Sequence, residues 1–140
     1  MVYDDLVLSA LLTLLVILCA LLSGLVLAEM AARYREGAAR RRSEAQRRAS
    51  ALLTEWLSPA QRAQYERTRC FEVRGSHSGK RYRIRSAGQM NVDELDDRGS
   101  RIAVWCFLPE KYVPIADVML AQKIALENDE LAAMAVAIRN

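Results

Sequence analysis

The stretch "CFEVRGSHSGKRYRIRS", Cys70 to Ser86, decides the fold class of this 140-residue chain. Phe71 and Val73 alternate with Glu72 and Arg74, and Tyr82 and Ile84 alternate with Arg81, Arg83 and Arg85. A period of two with one apolar face predicts two half-buried antiparallel strands. Between them "GSHSGK" consists of turn formers, with Gly75 and Gly79 where a positive φ costs little. The same letters partly match a phosphate loop. A Walker A loop, however, places four residues between its glycines, follows them with Lys and Ser or Thr, and opens a helix. Here three residues separate Gly75 from Gly79, Lys80 is followed by Arg81, and a strand pattern comes next. The glycines serve a hairpin loop, and no phosphate cradle is expected.

Upstream of the hairpin, Leu52, Leu53, Trp56 and Leu57 share one helix face. Ser58, Pro59 and Gln61 then spell a capping box, which predicts a short helix from Pro59 to about Thr68. Downstream, Met90, Val92 and Leu95 mark a weaker third strand, "DDRG" a turn, and "RIAVWCFLP" a fourth strand covered on both sides. Pro109 and Pro114 bracket a loop, and from Ile115 the pattern is helical, with a break or cap at Asn128 and Asp129. Leu131, Met134, Ala135 and Ile138 form an i, i+3, i+4, i+7 stripe there, which either closes the core or meets a partner. The expected fold is α+β: a helix, a four-stranded antiparallel meander and a C-terminal helix over residues 51–140. That length buries one modest core.

The N-terminal region follows a different logic. From Leu6 to Ala28 run 23 residues without a charge, "LVLSALLTLLVILCALLSGLVLA". As a helix rising about 1.5 Å per residue, they reach roughly 34 Å, enough to cross a hydrocarbon core of about 30 Å. A secretory signal peptide has a positive n-region and a shorter apolar region. This run is long and follows the acidic "MVYDD", so it is read as a retained anchor. Arg33, Arg35, Arg40, Arg41, Arg42, Arg47 and Arg48 follow it, whereas only Asp4 and Asp5 precede it. Basic flanks stay cytoplasmic, which predicts a single span with the N-terminus out and the C-terminal domain in. The chain divides into a short extracytoplasmic tail (1–5), a transmembrane helix (6–28), a basic juxtamembrane helix or linker (29–50) and a cytoplasmic domain (51–140). The seven arginines either bind anionic lipid head groups or act only as topology signals in a solvated linker. Ala31, Ala38, Ala45 and Leu52 recur every seven residues, a seam for self-association, although Arg35 and Arg42 fall on its second line.

Four recurring elements stand out across Leu52–Glu127: an LSP-x-Q helix start, an F-x-V-x-G…SG-x-x-Y-x-I hairpin, an N-V-x-x-L-D-x-x-G turn and a D-x-x-L-A-Q-K helix. In these the chain resembles a group of small, mostly uncharacterised bacterial and phage-associated proteins. The resemblance implies one folded module and carries no activity with it; the location expected for the chain is a bacterial inner membrane. The hairpin is also similar to the start of SWIM-type zinc domains, but those continue with C-x-C and C-x-H, which this chain lacks.

No cofactor, metal or catalytic residue is expected. His77 is alone in a loop, and Cys19, Cys70 and Cys106 show no ligand spacing. Asp93, Glu94, Asp96 and Asp97 lack the alternation of a calcium loop and read as a solvated turn. Residues 62–85 carry eight cations and two acids, and residues 86–140 nine acids and five bases, so the domain is electrically two-ended. Arg74, Lys80, Arg81, Arg83 and Arg85 are the candidate face for a partner or for nucleic acid. No aromatic residue is interleaved with those cations to stack bases, which ranks nucleic acid second. The first expectation is a membrane-anchored binding or scaffold protein, an accessory subunit of a membrane complex, whose candidate partners are a membrane protein and a second copy of the chain (a homo-oligomer). The alternative is a tethered nucleic-acid-binding protein.

Overall fold

The computed structural model describes residues 2–87, 89–107 and 113–139, with side chains described at position 9 and from 11 onward. The chain splits into two compact units, Met1–Arg42 and Ser43–Asn140. The first unit holds most of helix α1, Val2–Trp56. Within it, from Leu11 onward, lies a stretch with mean hydropathy 2.8 and no buried side chain. It is one helix long and apolar enough to cross a membrane.

The second unit is the α+β module. The end of α1 turns Ala49 and Leu53 inward, and Leu57 just beyond it completes one apolar edge at i, i+4, i+8. Leu52 and Trp56 on the other side of the helix stay exposed. Helix α2, Pro59–Thr68, begins at the expected capping box: the Ser58 hydroxyl accepts from the Gln61 amide, and the Gln61 side chain accepts from the Ser58 amide. It ends at Arg69, which takes a left-handed φ of 57°.

Strands β1 (Cys70–Arg74) and β2 (Arg81–Arg85) pair in the register that the alternation dictates, Phe71 opposite Ile84 and Val73 opposite Tyr82. Gly79 supplies the positive φ of 69° that turns the hairpin. β3 (Val92–Leu95) and β4 (Arg101–Cys106) continue the antiparallel meander. Their turn is closed by Asp96, whose Oδ1 accepts from the amides of Arg98 and Ser100. The core gathers Leu53, Tyr65, Phe71, Tyr82, Ile84, Val92, Met119 and Leu126 on the helix side of the sheet. A reciprocal amide pair, Asn91 with Gln122 at 2.9 and 3.0 Å, fixes β3 to the next helix inside that core.

The helical segment from Ile115 breaks at Asp129, as expected: α3 (Ile115–Asn128) and α4 (Glu130–Val136) are parted there, at φ −145° and ψ 71°. Other expectations need correction. The chain then straightens into a fifth strand, β5 (Ile138–Arg139), against Trp105 and Cys106, giving the order β1-β2-β3-β4-β5. The expected stripe therefore does not form: Met134 packs on the core, while Leu131 and Ile138 are exposed. The acidic turn is also only half solvated. Asp93 and Glu94 belong to β3, the middle strand, and are 4% and 5% exposed. The expected loop at Pro109 lies outside the described residues.

Candidate functional site

The tip of the β1–β2 hairpin does hold an anion, and that anion is the chain's own Glu130. Oε2 accepts from the backbone amides of His77 (2.9 Å) and Ser78 (2.6 Å), and Oε1 accepts from the Ser78 hydroxyl and from Tyr82 Oη (2.7 Å). The Glu130 amide in turn donates to Ser76 Oγ at 3.1 Å. Gly75 makes the approach possible, since a Cβ there would sit 2.2 Å from the Glu130 carboxyl carbon. The "GSHSG" letters thus describe a receptor made of backbone N–H groups and hydroxyls, the chemistry of an anion nest.

Glu130 is 3% exposed, with no cation in ion-pair distance among the described residues. Burial pushes its pKa up, but hydrogen bonds from Ser78, Tyr82 and His77 outweigh that and hold it at about 2. Tyr82 shows the complement: burial, then the hydrogen bond to Glu130, raises its phenol well above the usual range. Nothing in the local sequence flags Glu130, because its partners lie 48 to 53 residues away. The only available signal was an excess of hydroxyl and glycine residues in the loop.

The basic strand face is an ion-pair lattice. Arg81 and Arg83 both grip Glu72, at 2.7 and 2.9 Å. Arg85 faces Asp93 at 3.0 Å and donates to the Met90 carbonyl, and Arg101 lies 3.9 Å from the other Asp93 oxygen. Lys80 pairs with Glu94 at 2.7 Å, which also accepts from Trp105 Nε1. Arg74 donates at 3.4 Å to the Gly79 carbonyl and is exposed. Burial would raise the pKa of both Glu72 and Glu94, yet their cationic partners hold both below the usual carboxylate range. Of the acids in residues 86–140, Asp93, Glu94 and Glu127 are counter-ions of the module's own arginines and lysines.

The outer edge of β1 is closed by α2. The Glu72 amide donates to Gln64 Oε1 and the Glu72 carbonyl accepts from Gln61 Nε2, both at 2.9 Å. Two glutamines one helical turn apart thereby imitate the hydrogen bonds of a neighbouring strand, a device against edge-to-edge aggregation. They also line a groove of about 380 Å³ with Ser58, Arg74, Arg81 and Glu127.

The arginines of α1 are exposed. Arg33 pairs with Glu29 and Arg48 with Glu44 one turn earlier, and Arg35 donates to the Ala31 carbonyl. Exposed i, i+4 pairs are worth about 0.3–0.5 kcal/mol each, too little to withdraw these arginines from another anion. All three cysteines are free, and no group of His, Cys, Asp and Glu fit to hold a metal occurs among the described residues. Cys70 on β1 and Cys106 on β4 are three strand spacings apart, about 14 Å, too far for a disulfide.

Comparison with family models, with curated proteins and with solved structures returned no match to this chain.

Proposed function

We propose that the chain is a single-pass membrane-anchored binding or scaffold protein of a bacterial inner membrane, with the α+β module on the cytoplasmic side. One observation carries this reading. A continuous apolar stretch of α1 exposes its side chains with none buried, which water does not tolerate and lipid does. The arginines that follow it favour the inward orientation of the module. In an accessory role, tethering raises the effective concentration of a weak contact made by the module.

Lipid contact falls mainly to two of the seven arginines. Along a helix Arg33 and Arg35 stand about 8 and 11 Å past Ala28, whereas Arg40 to Arg42 stand about 18–21 Å past it. The head-group layer extends about 5–7 Å beyond the hydrocarbon, and electrostatic reach past it at physiological salt is about 8 Å. The tethered nucleic-acid alternative draws no support from the sheet, where Arg81, Arg83 and Arg85 are engaged by Glu72 and Asp93.

The test is carbonate extraction of membranes, followed by protease treatment of spheroplasts. The anchored, inward reading expects the full-length chain in the pellet and a protected C-terminal module. Release into the supernatant, or digestion of the module from outside, refutes it. The intact mass of the membrane-extracted protein separates a retained anchor from a cleaved signal.

A further inference from the structure

We propose that the hairpin tip from Ser76 to Tyr82 is a carboxylate receptor in its own right, that Glu130 occupies it as an internal ligand, and that an acidic side chain of a binding partner takes the site over when α4 and β5 lift away. Every donor to the carboxylate comes from the hairpin: the amides of His77 and Ser78, the Ser78 hydroxyl and the Tyr82 phenol. The receptor therefore stays assembled whichever chain brings the carboxylate. Gly75 is present for room rather than for backbone freedom, since the positive-φ glycines among the described residues are Gly79 and Gly99.

The segment that carries Glu130 is lightly seated. In α4 only Glu130 and Ala133 are buried, with Met134 partly so, whereas Leu131, Val136 and Ile138 are exposed. β5 adds a two-residue ladder, and Asp129 is the single non-helical residue between α3 and α4. A change confined to that residue carries Glu130 out of the receptor as one unit. It uncovers the amides of His77 and Ser78 and the edge of β4 at Trp105 and Cys106.

Glu130→Ala tests the receptor on the full chain in detergent. The substitution removes Cγ and the carboxylate, which together are the atoms of acetate. Sodium acetate is expected to raise the melting temperature of Glu130→Ala by several degrees and saturably, while sodium chloride at equal ionic strength does not. If Glu130→Ala is unfolded without ligand, the same titration is read as acetate-dependent folding. Adding Gly75→Ala to Glu130→Ala puts a methyl 2.2 Å from where the carboxyl carbon sits, and is expected to abolish the acetate response. A capped Gly-Glu-Gly peptide is expected to reproduce it, as a side chain from a partner would. Equal responses to acetate and chloride, or an acetate response that survives Gly75→Ala, overturn the receptor. A response to acetate with none to the peptide overturns its takeover by a partner's side chain. None of these readings depends on the membrane anchor, whose failure is registered separately by carbonate extraction.

Discussion

Replacing Glu130 with glutamine isolates the contribution of one buried charge. The folded carboxylate titrates at about 2 and an ordinary one at 4.5. That difference is worth about 3 kcal/mol of stability above pH 5. Because the folded pKa is the lower one, the unfolded chain takes up the proton first as pH falls. The stabilisation is complete above the unfolded pKa and is lost as pH drops towards 2, with about half gone near pH 3. Glutamine keeps the shape, and its carbonyl oxygen can still accept from the amides of His77 and Ser78 while its N–H₂ turns to the two hydroxyls, but it is uncharged and so forfeits the charge-assisted bonds. Urea unfolding of the full chain in detergent, followed by fluorescence of Trp56 and Trp105, is expected to show Glu130→Gln about 3 kcal/mol less stable at pH 7. The gap should close steadily from pH 4.5 to pH 2. Glu72 and Glu94 also titrate below the usual range, but they are common to both proteins and cancel in the difference. A gap that stays constant from pH 7 to pH 3 would refute the argument and reduce Glu130 to a matter of shape.

Three further outcomes follow from the packing and the lattice. Leu53→Ala removes a fully buried side chain and should cost about 2–5 kcal/mol in the same assay, whereas Leu52→Ala, on the exposed side of α1, should stay within about 0.5 kcal/mol. Oxidation of the full chain should give no Cys70–Cys106 bridge, read as unchanged mobility on a non-reducing gel, because β2 and β3 lie between the two thiols. Paired replacement of Arg33 and Arg35 by glutamine should lower the anionic lipid that co-purifies in mild detergent more than paired replacement of Arg41 and Arg42, measured by lipid mass spectrometry. Each cation near the surface is worth about 1 kcal/mol.

What the sequence made legible was local. The capping box at Ser58, the period-two alternation of the hairpin and the turn formers at Asp96–Gly99 each depend on neighbours a few residues apart, and each stands in the structure as read. The C-terminal end is not legible for the converse reason. Residues 130–139 are rich in helix formers, and propensity alone extends the helix to the end. In the fold, the open edge of β4 draws Ile138 and Arg139 into a ladder, and Arg139 settles 5.6 Å from the Trp105 ring. The acids failed similarly: "DELDD" reads as one solvated cluster because alternation cannot reveal that β3 is the middle strand. There the two faces send Asp93 to Arg85 and Glu94 to Lys80.

The loop at Gly75–Lys80 sharpens the point. Its letters reported a demand, several N–H and hydroxyl donors clustered around small residues, without naming the acceptor. The loop lacks the spacing of a phosphate loop, but its donors still need an acceptor. A set of convergent donors in a partly buried loop has to find an anion or water, since leaving them unpaired costs about 1–3 kcal/mol each. The acceptor is Glu130, more than fifty residues downstream of His77 and Ser78 in sequence, at the start of a seven-residue helix that buries only Glu130 and Ala133. That pairing of a well-built receptor with a loosely seated ligand is what distinguishes this contact from the Glu72 and Asp93 lattice. There the acids sit on strands held by the sheet, and the cations come from the neighbouring strand.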